Sequence, residues 1–167
     1  MNSLSKICVS LTLFIFCSAV SAKVYVQVQT TLAPGSVIGT ISFENTPYGL
    51  LITPDLTDLP PGAHGVHLHE KPACSHQGKD AGGHFDPKKT GKHLGPYRSG
   101  HLGDLPVLYV DSQGLANIAM LAPRLKEKHV NNLSLMIHAG GDNYSDEPKP
   151  LGGGGPRIAC GVIGLAK

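Results

Sequence analysis

GAHGVHLHE, residues 62–70, places His64, His67 and His69 within six residues and contains neither lysine nor arginine. It follows the turn residues Pro60 and Pro61 and has the composition of a strand. Alternate residues of a strand face the same side of the sheet, so His67 and His69 stand together while Leu68 faces the other way. Two adjacent imidazoles are too polar for a core face without partners, and one shared cation would resolve the conflict, because neutral imidazole is a common metal ligand. A lone His-x-His is a weak signal, open equally to chance or to packing, so the flanking chain decides its meaning.

Outward from this stretch the chain reads as short alternating runs divided by turn residues, with 21 Gly and 13 Pro in 167 residues. KVYVQVQT (23–30), PGSVIGTISFEN (34–45), YGLLITPDL (48–56), LSLMIHAG (133–140) and RIACGVIGLA (157–166) are strand candidates. LPVLYVDSQGLANIAML (105–121) reads as a hairpin turning at Asp111–Gly114, and APRLKEKHVNN (122–132) carries one helical turn. The pattern is all-β: an antiparallel sandwich or barrel of seven or eight strands. Two segments break it, Cys74 to Asp104 and Ala139 to Pro156. Structureless stretches of that length in a compact domain are functional or disordered.

The first of these segments carries His84, His93, His101 and Asp104, each beside glycine: GGHFDP, GKHLGP and GHLGDL. Three imidazoles and a carboxylate make a complete tetrahedral shell for zinc, and a metal would order a loop that has no core of its own. Glycine permits the turns that aim these side chains at one point. His138 stands at the end of an apolar run beside a flexible loop, where site residues concentrate. Arg157 follows four glycines and a proline. The glycine run is no phosphate loop, since neither Gly-Lys-Ser/Thr nor a helix follows it.

The N-terminus has one basic residue, Lys6, an apolar run from Ile7 to Val20, and the small residues Ser21 and Ala22. It reads as a secretory signal over residues 1–22, with the functional domain at 23–167. The run is too short for a membrane anchor. Cys17 follows the bulky Phe16 and so makes a poor lipid-attachment site. Cleavage would remove Lys6, Cys8 and Cys17, leaving 13 basic against 12 acidic residues and a single pair of cysteines, Cys74 and Cys160. An even pair in an oxidising compartment argues for one disulfide, with metal ligation as the alternative. A nearly neutral chain lacks the cationic field that nucleic-acid binding needs.

GVHLHE, AGGHFDPKKTGKHLGP, GHLGDLP, MIHAGGDNYSD and RIACGVIG together resemble the copper/zinc superoxide dismutases in their bacterial exported form, in order along nearly the whole of residues 23–167. The resemblance implies a Greek-key β-sandwich or barrel with two long functional loops, located in the periplasm, free of the membrane after signal cleavage. It implies one copper and one zinc ion per subunit, and the superoxide anion as substrate. His67, His69, His84 and His138 would bind copper; His84, His93, His101 and Asp104 would bind zinc, with His84 bridging the two. Asp142 would link ligands of both metals, Cys74 and Cys160 would be joined, and Arg157 would hold the anion, so that Arg157 and His84 are the catalytic residues. His64 would be structural, while His76 and His129 match no ligand position. Lys71 and Lys79 are candidates for steering the anion. Monomer and homodimer both remain open. The alternative of another class is a non-catalytic copper or zinc carrier on the same scaffold, which would need neither a bridging His84 nor Arg157. A zinc hydrolase would need an open zinc position, which a His3Asp shell does not leave.

Overall fold

The computed structural model describes residues 23–164. The signal sequence read at 1–22 and the last residues of the final apolar run lie outside them. Nine strands form: β1 (Val24–Thr30), β2 (Val37–Thr46), β3 (Gly49–Leu56), β4 (Gly62–His64), β5 (Val66–His69), β6 (Leu108–Val110), β7 (Met120–Ala122), β8 (Leu133–His138) and β9 (Arg157–Ile163). Seven make one antiparallel sheet in the order β5-β8-β9-β1-β2-β3-β7, and β4 pairs with β6 in a second, small sheet.

Alternation explains the first strands. Val24, Val26 and Val28 of β1 are buried while Tyr25 and Gln27 face outward. Ile41 and Phe43 of β2 and Leu50 and Ile52 of β3 continue the same inner face, all four fully buried. Curling the sheet over this face closes one apolar core that also takes in Leu68, Leu135 and Ile137. The other face of β8 is buried too, so that Ser134, Met136 and His138 are shielded although they point away from the core. What shields them is the pair of long loops.

Two expectations are corrected here. The stretch 62–69 is not one strand: it divides at Gly65, β4 pairing with β6 and β5 with β8. The chain at 105–121 does turn at Asp111–Gly114, where the Gly114 amide donates to Asp111 O at 3.1 Å. Its arms do not pair with each other, however; β6 goes to β4 and β7 to β3. Turn chemistry is local, whereas the choice of partner is made by the closing of the core. The helical turn expected near 122–132 is a short 3-10 turn at Glu127–His129. No helix among the described residues is long and apolar enough to cross a membrane.

β5 decides where the site lies. One side of it pairs with β8, and the other is met by the long loop. The Leu68 amide donates to Gly103 O at 2.9 Å, and Leu68 O accepts from the Phe85 amide at 2.8 Å. Isolated bridges pair His67 with Asp104 and His69 with His84. The backbone groups of an otherwise open edge are thereby satisfied, and the two loop residues are drawn to the two strand histidines.

Candidate metal centre

Seven side chains converge in two groups. His67, His69, His84 and His138 form one, and His84, His93, His101 and Asp104 the other; within each group, one potential ligand atom per residue lies within 4.8 Å of all the rest. All seven residues are buried, His67, His69 and His93 completely. His84 belongs to both groups, with its ring stacked on that of His67 at 4.0 Å between centroids.

The hydrogen bonds fix which ring nitrogen His67, His69 and His138 offer. A carbonyl or carboxylate oxygen can only accept, so the nitrogen facing it carries the proton and the opposite nitrogen is bare. His69 Nδ1 donates to Gly82 O at 2.9 Å, and His138 Nδ1 to Gly155 O at 3.0 Å. His67 Nε2 and His93 Nε2 donate to the two oxygens of Asp142, each at 2.8 Å. Left buried without a partner are His67 Nδ1, His69 Nε2, His84 Nε2 and His138 Nε2 in the first group; in the second, His93 Nδ1 and His101 Nδ1 make no hydrogen bond of good geometry and face only the Asp104 carboxylate. Six buried nitrogens without a good hydrogen bond would be costly in a purely structural cluster, and they are what a metal centre requires.

In the second group the imidazoles close on one carboxylate oxygen. Asp104 Oδ1 lies 3.0 Å from His84 Nδ1, 3.1 Å from His93 Nδ1 and 3.4 Å from His101 Nδ1. Its other oxygen accepts from the Leu94 and Gly95 amides at 3.2 and 3.3 Å. Asp104 therefore has one oxygen fixed by the loop backbone and one free to bind. Three nitrogens and one oxygen suit tetrahedral zinc, while four imidazoles suit copper. The residues present fit both ions.

Electrostatics follow the same division. Burial pushes His67 down to about 3, His69 to about 2 and His138 to about 4, against the opposing pull of their hydrogen bonds. These three remain neutral at pH 7, the form that binds metal. Burial also lowers His84. At His93 burial opposes the charge but is outweighed by the hydrogen bonds and charges of Asp104 and Asp142, which lift it to about 9. Burial works against the charge on both carboxylates as well, yet the surrounding histidines hold each well below the usual range. Two ionised carboxylates thus stand among the loop histidines, a setting that favours a cation.

Asp142 is seated by the Tyr144 amide at 2.7 Å and rests on the backbone of Gly152. A side chain on Gly152, whose φ is +73°, would collide with the Asp142 carboxylate, which explains one glycine of the 152–155 run. Arg157 stands opposite His138 in the β8–β9 register. It donates through Nη1 to Gly78 O and through Nη2 to Gly82 O at 2.8 Å, the same carbonyl that receives His69 Nδ1. With Gln77, Lys79, Gly155 and Pro156 it lines an open depression of about 380 Å³. Cys74 and Cys160 form a disulfide, with 5.8 Å between their Cα atoms, tying the long loop to β9.

His64 lies outside both groups. Its ring nitrogens are 2.7 Å from His138 O and from Pro60 O, so it joins a loop to the end of β8. His76 is exposed and paired with Asp80 at 2.7 Å, and His129 sits in the 3-10 turn. The sequence reading passed over Asp146, which accepts from the His93 amide at 2.9 Å, and Arg124, which grips the loop from beneath. Neither carries a local signal, because both act across long stretches of chain.

Residues 37–163 match the profile of the copper/zinc superoxide dismutase (SODC) family. The chain belongs to that family. A superoxide dismutase [Cu-Zn] from Legionella pneumophila is 57% identical over 145 residues, covering 87% of this chain and 89% of that protein. Among solved structures, the Cu/Zn superoxide dismutase from Brucella abortus superposes with a TM-score of 0.80 at 44% identity, covering 85% of this chain and 99% of that one. A monomeric copper, zinc superoxide dismutase from Salmonella enterica matches at 0.71 and 51% identity, over 86% of this chain and 99% of that one.

Proposed function

We propose that the chain is a superoxide dismutase, converting two superoxide anions and two protons to dioxygen and hydrogen peroxide, with one copper and one zinc ion per subunit. His67, His69, His84 and His138 would hold copper, and His84, His93, His101 and Asp104 would hold zinc. Copper supplies the exchange of one electron in each direction, which zinc cannot perform. The chain's own residues do the rest. His84 faces one group with each ring nitrogen, and its buried Nε2 could hold a proton whenever that atom is not bound to metal. Asp142 orients His67 and His93 at once, and so couples the aim of the two halves. Arg157, fixed through Gly78 and Gly82, presents a permanent positive charge and a planar fork to an incoming anion. Lys79, on the same depression, adds to the attracting field.

The observation that carries this reading is the set of six buried imidazole nitrogens without a good hydrogen bond, divided between two groups that share His84. A carrier would gain nothing from that sharing or from an arginine held one carbonyl away from His69. All seven ligand residues come from one chain, so the site is complete in a monomer. On this reading the protein is exported, its signal ends at Ala22, and residues 23–167 work in the periplasm, as the basic, apolar and small-residue pattern of residues 1–22 supports. The test is metal analysis of the exported chain together with a superoxide-consumption assay. One copper, one zinc and rapid consumption are expected. Stoichiometric metal without consumption would leave the carrier.

A further inference from the structure

Arg124 lies just beyond β7, far in sequence from every ligand. Its guanidinium donates to four backbone carbonyls of the long loop: Nε to Pro96 O at 2.9 Å, Nη1 to Gly100 O at 3.1 Å, and Nη2 to Gly95 O at 3.3 Å and to His101 O. Four of its five N–H groups are therefore engaged. Among the described residues no carboxylate lies within ion-pair distance of it. The carbonyls belong to two limbs of one loop. Gly95 and Pro96 follow His93 closely, and the other limb ends on His101 itself.

Packing holds these limbs only in part: the Tyr144 ring lies against Gly95 and Tyr97, and Leu102 reaches the core. A cavity of about 360 Å³ lies under them, lined by Asp86, Lys88, Ser99, Leu102, Arg124 and His129. No strand forms between β5 and β6. Direct ties between the limbs are few, among them the His101 amide donating to Lys92 O at 2.9 Å. Across this gap the arginine supplies a rigid, planar, multidentate cross-link at the depth of the zinc ligands.

We propose that Arg124 is a positioning residue for the zinc half of the site. It bridges the gap under the loop and sets the separation of the His93 and His101 limbs, so that their Nδ1 atoms converge on Asp104 Oδ1 before any metal arrives. The geometry calls for arginine specifically. Lysine keeps the charge, but its three donors sit on one nitrogen and cannot reach four carbonyls spread along a fork. The inference rests on the assignment of His84, His93, His101 and Asp104 to zinc, and it concerns how tightly and in what geometry that shell closes.

Cobalt(II), whose visible absorption reports tetrahedral coordination, is the probe. It is titrated into the metal-free wild type and into Arg124→Lys, Arg124→Met and Asp104→Ala, each then loaded with copper. The wild type should bind one cobalt with strong tetrahedral bands, and Asp104→Ala should lose them. Arg124→Met should bind cobalt about 10–100-fold more weakly, the range found when groups that orient ligands are removed, with weakened bands. Arg124→Lys, the variant safer for folding, should fall between. The copper absorption should be unchanged in both arginine variants, which a general loss of structure would not allow. Wild-type cobalt affinity and spectrum in Arg124→Met would overturn the proposal and leave the zinc assignment intact. Wild-type cobalt binding by Asp104→Ala would overturn the assignment and the proposal with it.

Discussion

Three of the four proposed copper ligands stand on strands, His67 and His69 on β5 and His138 at the end of β8. All the proposed zinc ligands stand on the loop between β5 and β6. The two halves are built by different physics. The strand half inherits its geometry from the sheet, whose register is set by an apolar core on the opposite face. The loop half reaches that core only through Phe85, Leu102 and Leu105, and polar cross-links tie down the rest: the disulfide, the Asp142 and Asp146 carboxylates and the Arg124 fork. His84 joins the halves. On the proposed assignment the redox half stands on the stiffer element, and zinc would fasten the part with the least apolar burial.

The largest expected effect comes from breaking the strand half alone. His138→Ala removes one copper ligand and no zinc ligand, so dismutation should fall to background while zinc stays near one per chain. Metal analysis and a superoxide assay on the same sample check both parts. Full activity would show that His138 is not a copper ligand. Loss of both metals would show that the halves do not stand apart as described.

Next is the cross-link that ties the loop to the sheet. Cys74 and Cys160 enclose a sequence separation of 86 residues, for which chain-entropy models give about 4–5 kcal/mol. Cys74→Ser should lower the urea midpoint accordingly, with the zinc loop loosened before β1–β3, as amide exchange resolved by residue would reveal. Two titratable thiols in the native wild type would refute the premise.

The same division governs what could be read from the chain. Period-two alternation displayed β1, β2 and β3 because each buries one face, and the i, i+2 rule put His67 and His69 on one side of β5. The loop ligands were legible as three imidazoles and a carboxylate beside glycines, enough for one zinc shell; the copper set and the sharing of His84 came from family resemblance. Three features stayed hidden. The break at Gly65 and the separate partners of β6 and β7 depend on how a curled sheet closes, which no local pattern encodes. Arg124 is one of three basic residues in APRLKEKH, indistinguishable from a surface charge until the loop is folded over it.

Arg157 gives the smallest effect and the finest test, because it touches both halves without binding a metal. It follows the glycine run of one loop, opens β9 three residues before Cys160, and holds the carbonyls of Gly78 and Gly82 on the other loop. Arg157→Glu should keep both metals, since every ligand is intact, yet slow superoxide consumption by about tenfold or more, because fixed charge in a cleft changes the association rate of ions on that scale. Arg157→Lys should be milder, keeping the charge while losing the planar fork that grips the two carbonyls. The wild-type rate should also fall as salt rises, because exposed charges are screened over about 10 Å at 0.1 M, and the glutamate variant should lose that dependence or reverse it. Pulse radiolysis of the three proteins at several ionic strengths measures all of this. A glutamate variant as fast as the wild type would remove Arg157 from the path of the anion and leave its two carbonyl contacts as its whole role, a brace between the loops.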